Sequence, residues 1–441
     1  LSYRLPEAVF HRFFDAGNKS LLIKGEPGTG KTILSLTMTK WLKPKGMFYL
    51  STRLSEDQIV QEIPWLGREI PSLKIKDVRF GTPEMLVEQY SVAIKQPGSL
   101  IILDSWDTFA RLIPQAELLK TEQALVTLVS SLNTDTKVVF ISETNSATPF
   151  DYTVDGVIHL YNSTFHGRTL RVMEFKKLRG IRVHRRFHIF TLDGAKVKII
   201  PPYIPWEPSG TQKLRPVYSN KDSAFATGNP KLDQFYGGIP RGSLVVVEMS
   251  ESFPYEAARG LTLNLTYAFL KEGRSVLWAP HMDRHFSAVR GMFQSFFDEQ
   301  TLKGRLRVVD TAEGPAPGGT PFFMRYMSLL DELRGTSKDR CVLQIVSGSF
   351  LERLYAESPS EFIRGFEDLT TQANTRGDPL LVSVRRNSPI SAHVRSFADI
   401  YLALHFLYGS VVLRSERPYY ELLAMNYDAR NPLIPKITPL V

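Results

Sequence analysis

Gly25-Glu26-Pro27-Gly28-Thr29-Gly30-Lys31-Thr32 decides the fold. It fits G-x-x-x-x-G-K-[ST] without a mismatch and stands between the apolar strand Leu21 to Lys24 and an apolar-periodic helix. A strand that feeds a glycine-rich loop opening a helix is a phosphate cradle: Gly25, Gly28 and Gly30 let successive N–H groups turn inward, and the helix start adds its positive end. Glu26, Pro27, Gly28, Thr29, Gly30, Lys31 and Thr32 are therefore the expected contacts of ATP, with Lys31 reaching the β and γ phosphates and the Thr32 hydroxyl holding Mg²⁺. Leu100-Ile101-Ile102-Leu103-Asp104 ends in the carboxylate expected as the second protein group on the metal, Asp104.

Outward from the loop, short apolar runs alternate with amphipathic stretches: Ser20 to Lys24, Lys31 to Lys40, Met47 to Ser51, Ser55 to Glu62, Leu100 to Asp104, Glu122 to Leu132 and Lys137 to Ser142. That alternation predicts βαβ units and a mostly parallel sheet. Gly167 to Ile200 reads instead as extended arms with turns at Arg179-Gly180 and at Asp193-Gly194, the latter expected as a type I′ hairpin, and these arms should extend the sheet at its edge. Pro201, Pro202, Pro205, Pro208 and Pro216 then interrupt any regular element. Beyond them the pattern restarts with strand Ser243 to Val247, helix Tyr255 to Lys271, strand Ser275 to Trp278, helix Phe322 to Leu333, strand Cys341 to Val346 and strand Pro379 to Val384. The predicted organisation is a tandem repeat of one α/β fold, residues 1–200 and 223–441, joined by a Pro-rich linker at 201–222. Each copy is expected to be a mostly parallel sheet with helices on both faces and an antiparallel edge hairpin.

Composition bounds the function classes. With 441 residues, 43% hydrophobic and 22% charged, the chain is globular rather than disordered or fibrous. Its single cysteine, Cys341, excludes a disulfide scaffold, is expected in a core strand, and points to a reducing, cytoplasmic compartment. No apolar run approaches the roughly 20 residues of a membrane helix. Leu1 to Asp15 carries Arg4, His11 and Arg12 without a continuous apolar core, so no signal peptide is expected, and the start at Leu suggests trimming or an initiator Met left out of the sequence. His159, His166, His184 and His188 lack partners at zinc-ligand spacing. Trp106 is the tryptophan expected nearest the metal carboxylate.

The net charge of +9 is concentrated. Arg168, Arg171, Lys176, Lys177, Arg179, Arg182, Arg185 and Arg186 face one acid, Glu174, over nineteen residues. Such a band is a solvated hairpin face, or it meets an acidic protein, a neighbouring subunit or nucleic acid.

From the P-loop to this band the sequence resembles the RecA/KaiC-like group of ATPases. The resemblance implies tandem RecA-like domains, a sensor at Asn145 after the strand Val138 to Ser142, and a K-x-R-G element in Lys177-Leu178-Arg179-Gly180. The cations of that element, Lys177 and Arg179, reach a nucleotide on a neighbouring protomer in that group, which implies a homo-oligomer. In the group, the strand after the P-loop helix ends in a water-positioning glutamate; here Arg53-Leu54 occupies the place. Glu56, Asp107 and Glu143 are the carboxylates left to substitute, and slow hydrolysis is expected.

The second copy keeps a typical entry, Thr227-Gly228-Asn229-Pro230-Lys231-Leu232-Asp233 and Gly237-Gly238-Ile239-Pro240-Arg241-Gly242-Ser243. Its loop, however, reads Glu248-Met249-Ser250-Glu251-Ser252-Phe253-Pro254-Tyr255-Glu256, with no cation and three carboxylates, and its strand 342–346 ends in valine. It is expected to bind no triphosphate and to serve as scaffold. Together with the pair Arg385-Arg386, the whole resembles the archaeal gas vesicle protein D (GvpD) family, which implies an ATP-binding regulator acting on an activator protein. The alternative is a DNA-binding recombinase-paralogue ATPase using Arg168 to Arg186, and binding of that kind weakens steeply with salt.

Overall fold

Strand β1 (Ser20–Lys24) is buried along its whole length. Leu21 and Ile23 enter one hydrophobic cluster and Leu22 the opposite one, as a central parallel strand covered on both faces requires. The computed structural model describes residues 6–79, 81–131, 135–205, 223–280, 286–309, 322–428 and 431–441. The chain divides into two units, Leu1–Pro201 with Leu440–Val441, and Pro202–Pro439.

In the first unit β1 is joined by β2 (Gly46–Ser51), β3 (Leu73–Asp77), β4 (Ser99–Asp104), β5 (Lys137–Ser142), β6 (Gly156–Phe165), β7 (Arg168–Leu178), β8 (Phe187–Thr191) and β9 (Lys198–Ile199). Their order is β3-β2-β4-β5-β1-β6-β7-β8-β9, parallel through β6 and antiparallel from β6 to β9. The parallel half places the C-terminal ends of β1, β2, β4 and β5 along one edge, where ligands of open α/β sheets bind. At the other end Asp155 braces the sheet: its Oδ2 accepts from the Lys19 and Ser20 amides, both at 3.1 Å, and from the Ser20 hydroxyl at 2.7 Å.

The second unit opens with a small antiparallel ribbon, β10 (Ala224–Phe225) against β11 (Ile239–Pro240). Its main sheet comprises β12 (Leu244–Met249), β13 (Ser275–Ala279), β14 (Leu306–Val308), β15 (Val342–Ser347), β16 (Leu380–Arg385), β17 (Ile400–Leu407), β18 (Ser410–Arg417), β19 (Leu423–Asp428) and β20 (Asn431–Pro439). The order β14-β13-β15-β16-β12-β17-β18-β19-β20 repeats the first sheet strand for strand. Even the brace recurs, because Asp399, just before β17, accepts from the Leu244 amide at 2.8 Å. The chain is thus a tandem α/β repeat of RecA-like architecture, each sheet mostly parallel with an antiparallel edge and a hydrophobic cluster on either face.

Two local expectations change. The left-handed pair in the β8–β9 connection is Gly194-Ala195, at φ +75° and +54°, and the pairing resumes only at Lys198, so the turn is a longer loop rather than a two-residue I′ hairpin on Asp193-Gly194. The second-unit strand expected to end at Val346 runs on to Ser347. In the linker, residues 201–205 follow no regular element, and Pro208 and Pro216 lie outside the described residues. Among the described residues no helix is long and apolar enough to cross a membrane, and no group of three or more His, Cys, Asp and Glu side chains is arranged to hold a metal ion. Cys341 is buried in the second core.

The last residues return to the first unit. The Val441 carbonyl accepts from the Leu192 amide and the Thr191 hydroxyl, both at 3.2 Å, and from Arg171 Nε at 3.1 Å.

His188 on β8 is buried beside Phe175 with Nε2 3.0 Å from the Arg185 carbonyl, and burial first, then the Arg185 charge, pulls its pKa down to about 4. The unfolded chain therefore binds this proton more readily than the native one. Stability should fall as pH drops from about 6.5 towards 4, by about 3 kcal/mol at the lower limit. Urea titrations at pH 7 and 4.5 check this, with a smaller difference expected for His188→Phe.

Candidate nucleotide site

Gly25 leaves β1 at φ +152°, where a Cβ would stand 2.2 Å from the Leu160 carbonyl oxygen, so only glycine lets the loop pass β6. Gly28 and Gly30 are left-handed, at φ +79° and +95°. Gly30 is the N-cap of the helix Lys31–Leu42, and no side chain caps that helix start, which leaves its first-turn amides open to an anion. The Lys31 ammonium is curled back on the loop, donating to the Gly25 carbonyl at 2.7 Å and the Glu26 carbonyl at 2.8 Å. Burial lowers its pKa, and the charges of Glu143 and Asp104 oppose that shift. A cation held only by two carbonyls is poised to exchange them for phosphate oxygens.

The Thr32 hydroxyl donates to Asp104 Oδ2 at 2.5 Å, although the two are 72 residues apart, because β4 lies one strand from β1, across β5, with Asp104 in register with Ile23 just before the loop. The Tyr49 hydroxyl donates to the same oxygen. Burial, then the Asp104 charge, raises the pKa of this phenol well above its ordinary value, so it remains a donor. Lys31, Thr32, Tyr49, Arg53 and Asp104 line one cleft of about 330 Å³, with Leu54, Ile59, Ile63 and Leu192 as its apolar wall. Size, open amides, lysine and the hydroxyl–carboxylate pair fit a nucleoside triphosphate with Mg²⁺. The metal, when bound by Thr32 and Asp104, supplies positive charge to the β and γ phosphate oxygens.

Asn145 meets the loop from above: its Nδ2 donates to Glu26 Oε1 at 2.8 Å, and its Oδ1 lies 3.1 Å from His159 Nε2. Of the three substitute carboxylates, Asp107 is occupied, accepting from the Ser142 and Thr144 hydroxyls at 3.0 and 3.1 Å and from the Glu143 amide. Glu56 is exposed in the first turn of the helix Glu56–Glu62. Glu143 ion-pairs with Arg53. Trp106 does not face the cleft; it is buried on Phe140 and Phe150, and its indole N–H donates to Glu122 Oε1 at 3.1 Å.

Lys177 and Arg179 lie at the end of β7 that pairs with the start of β6, at the opposite end of the strands from the loop. Neither is brought to the cleft of its own chain. Lys177 Nζ donates to the carbonyls of Asp151, Tyr152 and Val154 at 3.1, 3.1 and 2.6 Å, closing the helix Pro149–Thr153. Arg179 pairs with Asp155 at 3.0 Å and stays 58% exposed, so of the two it is the one presented outward.

Three cations of the basic band pair with two carboxylates of the chain, Lys176 and Arg186 with Glu174 and Arg179 with Asp155. Glu174 takes Lys176 at 2.9 Å and Arg186 at 2.7 Å, and Arg171 Nη1 donates to the Gly28 carbonyl at 2.8 Å. The Arg171 contact ties the band to the phosphate loop. Sequence reasoning missed this contact, as it missed Tyr49 and His159. For Tyr49 a signal existed: it sits two residues before the strand end, on the face that carries Met47 into the cluster shared with the loop helix.

In the second unit the corresponding loop is held by an arginine from a neighbouring strand. Arg385, the last residue of β16, donates through Nη1 to the carbonyls of Ser250, Glu251 and Phe253 at 3.0, 3.2 and 2.7 Å. The degenerate loop thus does have a cation, supplied by a neighbouring strand and spent on the loop's own carbonyls. Glu248 is not part of the loop either: it is buried within β12 and accepts from the Ser391 hydroxyl at 3.1 Å. Ser347 ends β15 where Asp104 ends β4, and the cavity lined by Val247, Trp278, Ile345 and Ser347 is about 30 Å³, room for about one water.

A family model described as KaiC ATPase matches residues 74–203, and one described as the GvpD gas vesicle protein P-loop domain matches residues 10–80. The chain is homologous to Protein GvpD2 of Halobacterium salinarum, at 24% identity over 98% of this chain and 95% of that protein. It is likewise homologous to Protein GvpD1 of the same organism, at 23% identity over 70% of this chain and 62% of that protein.

Proposed function

We propose that this chain, a homologue of the GvpD proteins, is a cytoplasmic ATP-binding regulator. Its first unit takes one nucleotide with Mg²⁺, and it acts on a protein partner such as a transcriptional activator. The observation that carries the reading is the convergence of Lys31, Thr32 and Asp104 on one cleft, against a second unit whose matching loop is filled by Arg385. Such asymmetry suits a protein that reads nucleotide state in one half and uses the other as platform. Equilibrium dialysis with ATP and Mg²⁺ is expected to give one nucleotide per chain; two per chain, or none, refutes the reading.

Hydrolysis is slow and completed by a neighbouring copy in this proposal, because Arg53-Leu54 stands where the water-positioning glutamate is expected and the exposed Arg179 lies at the opposite end of the strands from its own chain's cleft. ATPase turnover per chain should rise with protein concentration and collapse in Arg179→Ala. Turnover that is flat with concentration and indifferent to the substitution removes the subunit-completed site. The nucleic-acid reading has less basic surface to rest on, because Arg171 and Lys177 are turned onto carbonyls of their own chain.

A further inference from the structure

Arg53 follows the end of β2, at the place where the resemblance leads one to expect a glutamate, so the charge there is reversed. Its guanidinium pairs with Glu143, which follows the end of β5. Because β4 separates β2 from β5 in the sheet, the pair bridges the strand ends above Asp104. Arg53 lines the same cleft as Lys31, Thr32 and Asp104. Both members of the pair lie close enough to Lys31 to act on its ammonium, with opposite signs.

The ion pair is a weak tie. Its side chains are 51% and 28% exposed, and pairs in that setting contribute little to stability and exchange readily. The backbone of Glu143 is held, since its amide donates to the Asp107 carboxylate. A terminal phosphate beyond Lys31 brings a concentrated negative charge and three acceptor oxygens, which suit the planar fork of a guanidinium better than one carboxylate oxygen does. A diphosphate ends at the loop and offers no such group.

We propose that Arg53 is the residue by which this cleft distinguishes a nucleoside triphosphate from a diphosphate, its guanidinium leaving Glu143 for the terminal phosphate. The proposal rests on the nucleotide reading above and deepens it: it assigns the discrimination to a side chain of the same subunit, so that the exchange of partners opens the bridge between β2 and β5 whenever the triphosphate is present. A purely structural clamp would instead stiffen the cleft equally for both nucleotides.

Calorimetric titration of the full chain with ATP and with ADP, each with Mg²⁺, separates these cases. Arg53→Ala is expected to weaken ATP about 10-fold and to leave ADP within about 2-fold, the loss of a charge-assisted contact made by one ligand only. Glu143→Gln is expected to strengthen ATP about 3-fold with ADP unchanged, since the guanidinium no longer leaves a carboxylate and one negative charge beside the terminal phosphate is gone. Equal weakening of ATP and ADP in Arg53→Ala, or no change in either, overturns the proposal while the nucleotide reading stands. Wild-type protein that binds neither nucleotide sinks the nucleotide reading and this proposal with it.

Discussion

Lys31→Ala is expected to lower the affinity for ATP by about 100-fold, the order set by losing a charged, largely desolvated donor to phosphate. The ligand-free protein should scarcely notice. Its ammonium is buried against two carbonyls, burial already disfavours its charged form, and an alanine there removes a desolvated charge from the fold. Fluorescent-nucleotide titration and thermal unfolding together make the check: lost binding with an unchanged melting temperature is the expected pair. A variant that still binds ATP tightly would remove the lysine from the site.

The largest expected effect on stability lies in the second unit. Asp378 is fully buried, its Oδ1 accepting from the Val342 amide at 2.9 Å at the head of β15 and its Oδ2 accepting from Arg334. Burial raises the pKa of this carboxyl despite the arginine, so it has been taken far from water and depends on its partners. Asp378→Ala leaves the Arg334 guanidinium with only Asp331, at 2.7 Å, and orphans the strand amide. Removing one member of a buried pair costs about 3 kcal/mol or more, which for a unit of this size lowers the melting temperature by about 6–12 °C. Arg334→Met with Asp378→Leu should recover most of the loss, because the pair is replaced by packing rather than broken. A double variant no better than the single would place the stability in the amide contact instead.

The parts legible in the sequence are those fixed by neighbours in the chain. β1, the loop and its helix follow from eight consecutive residues and their flanks, and Asp104 from four apolar residues before a carboxylate. Strand β3 was not read, since Leu73 and Ile75 alternate with Lys74 and Lys76 over only five residues, a polar edge strand with too short a period to register. Partners across the sheet were equally out of reach: Arg53 meets Glu143 across 90 positions, and Arg385 reaches back 135 residues to the Ser250 carbonyl. Nothing local marks either arginine as bound. Lys177 shows the converse, since a motif named its type while the helix end it closes, at Asp151, Tyr152 and Val154, decides what it touches.

The return of Leu440–Val441 to the first unit bears on how the molecule is made. Thr191 waits for a partner 250 residues downstream, and at ribosomal speed that interval is about 12–50 s. Throughout it the Leu192 amide and Arg171, the side chain that also touches the phosphate loop, have only water in place of the Val441 carbonyl. A nascent chain thus emerges with the residues of its nucleotide cradle made early and one of that cradle's supports made 250 residues after Thr191.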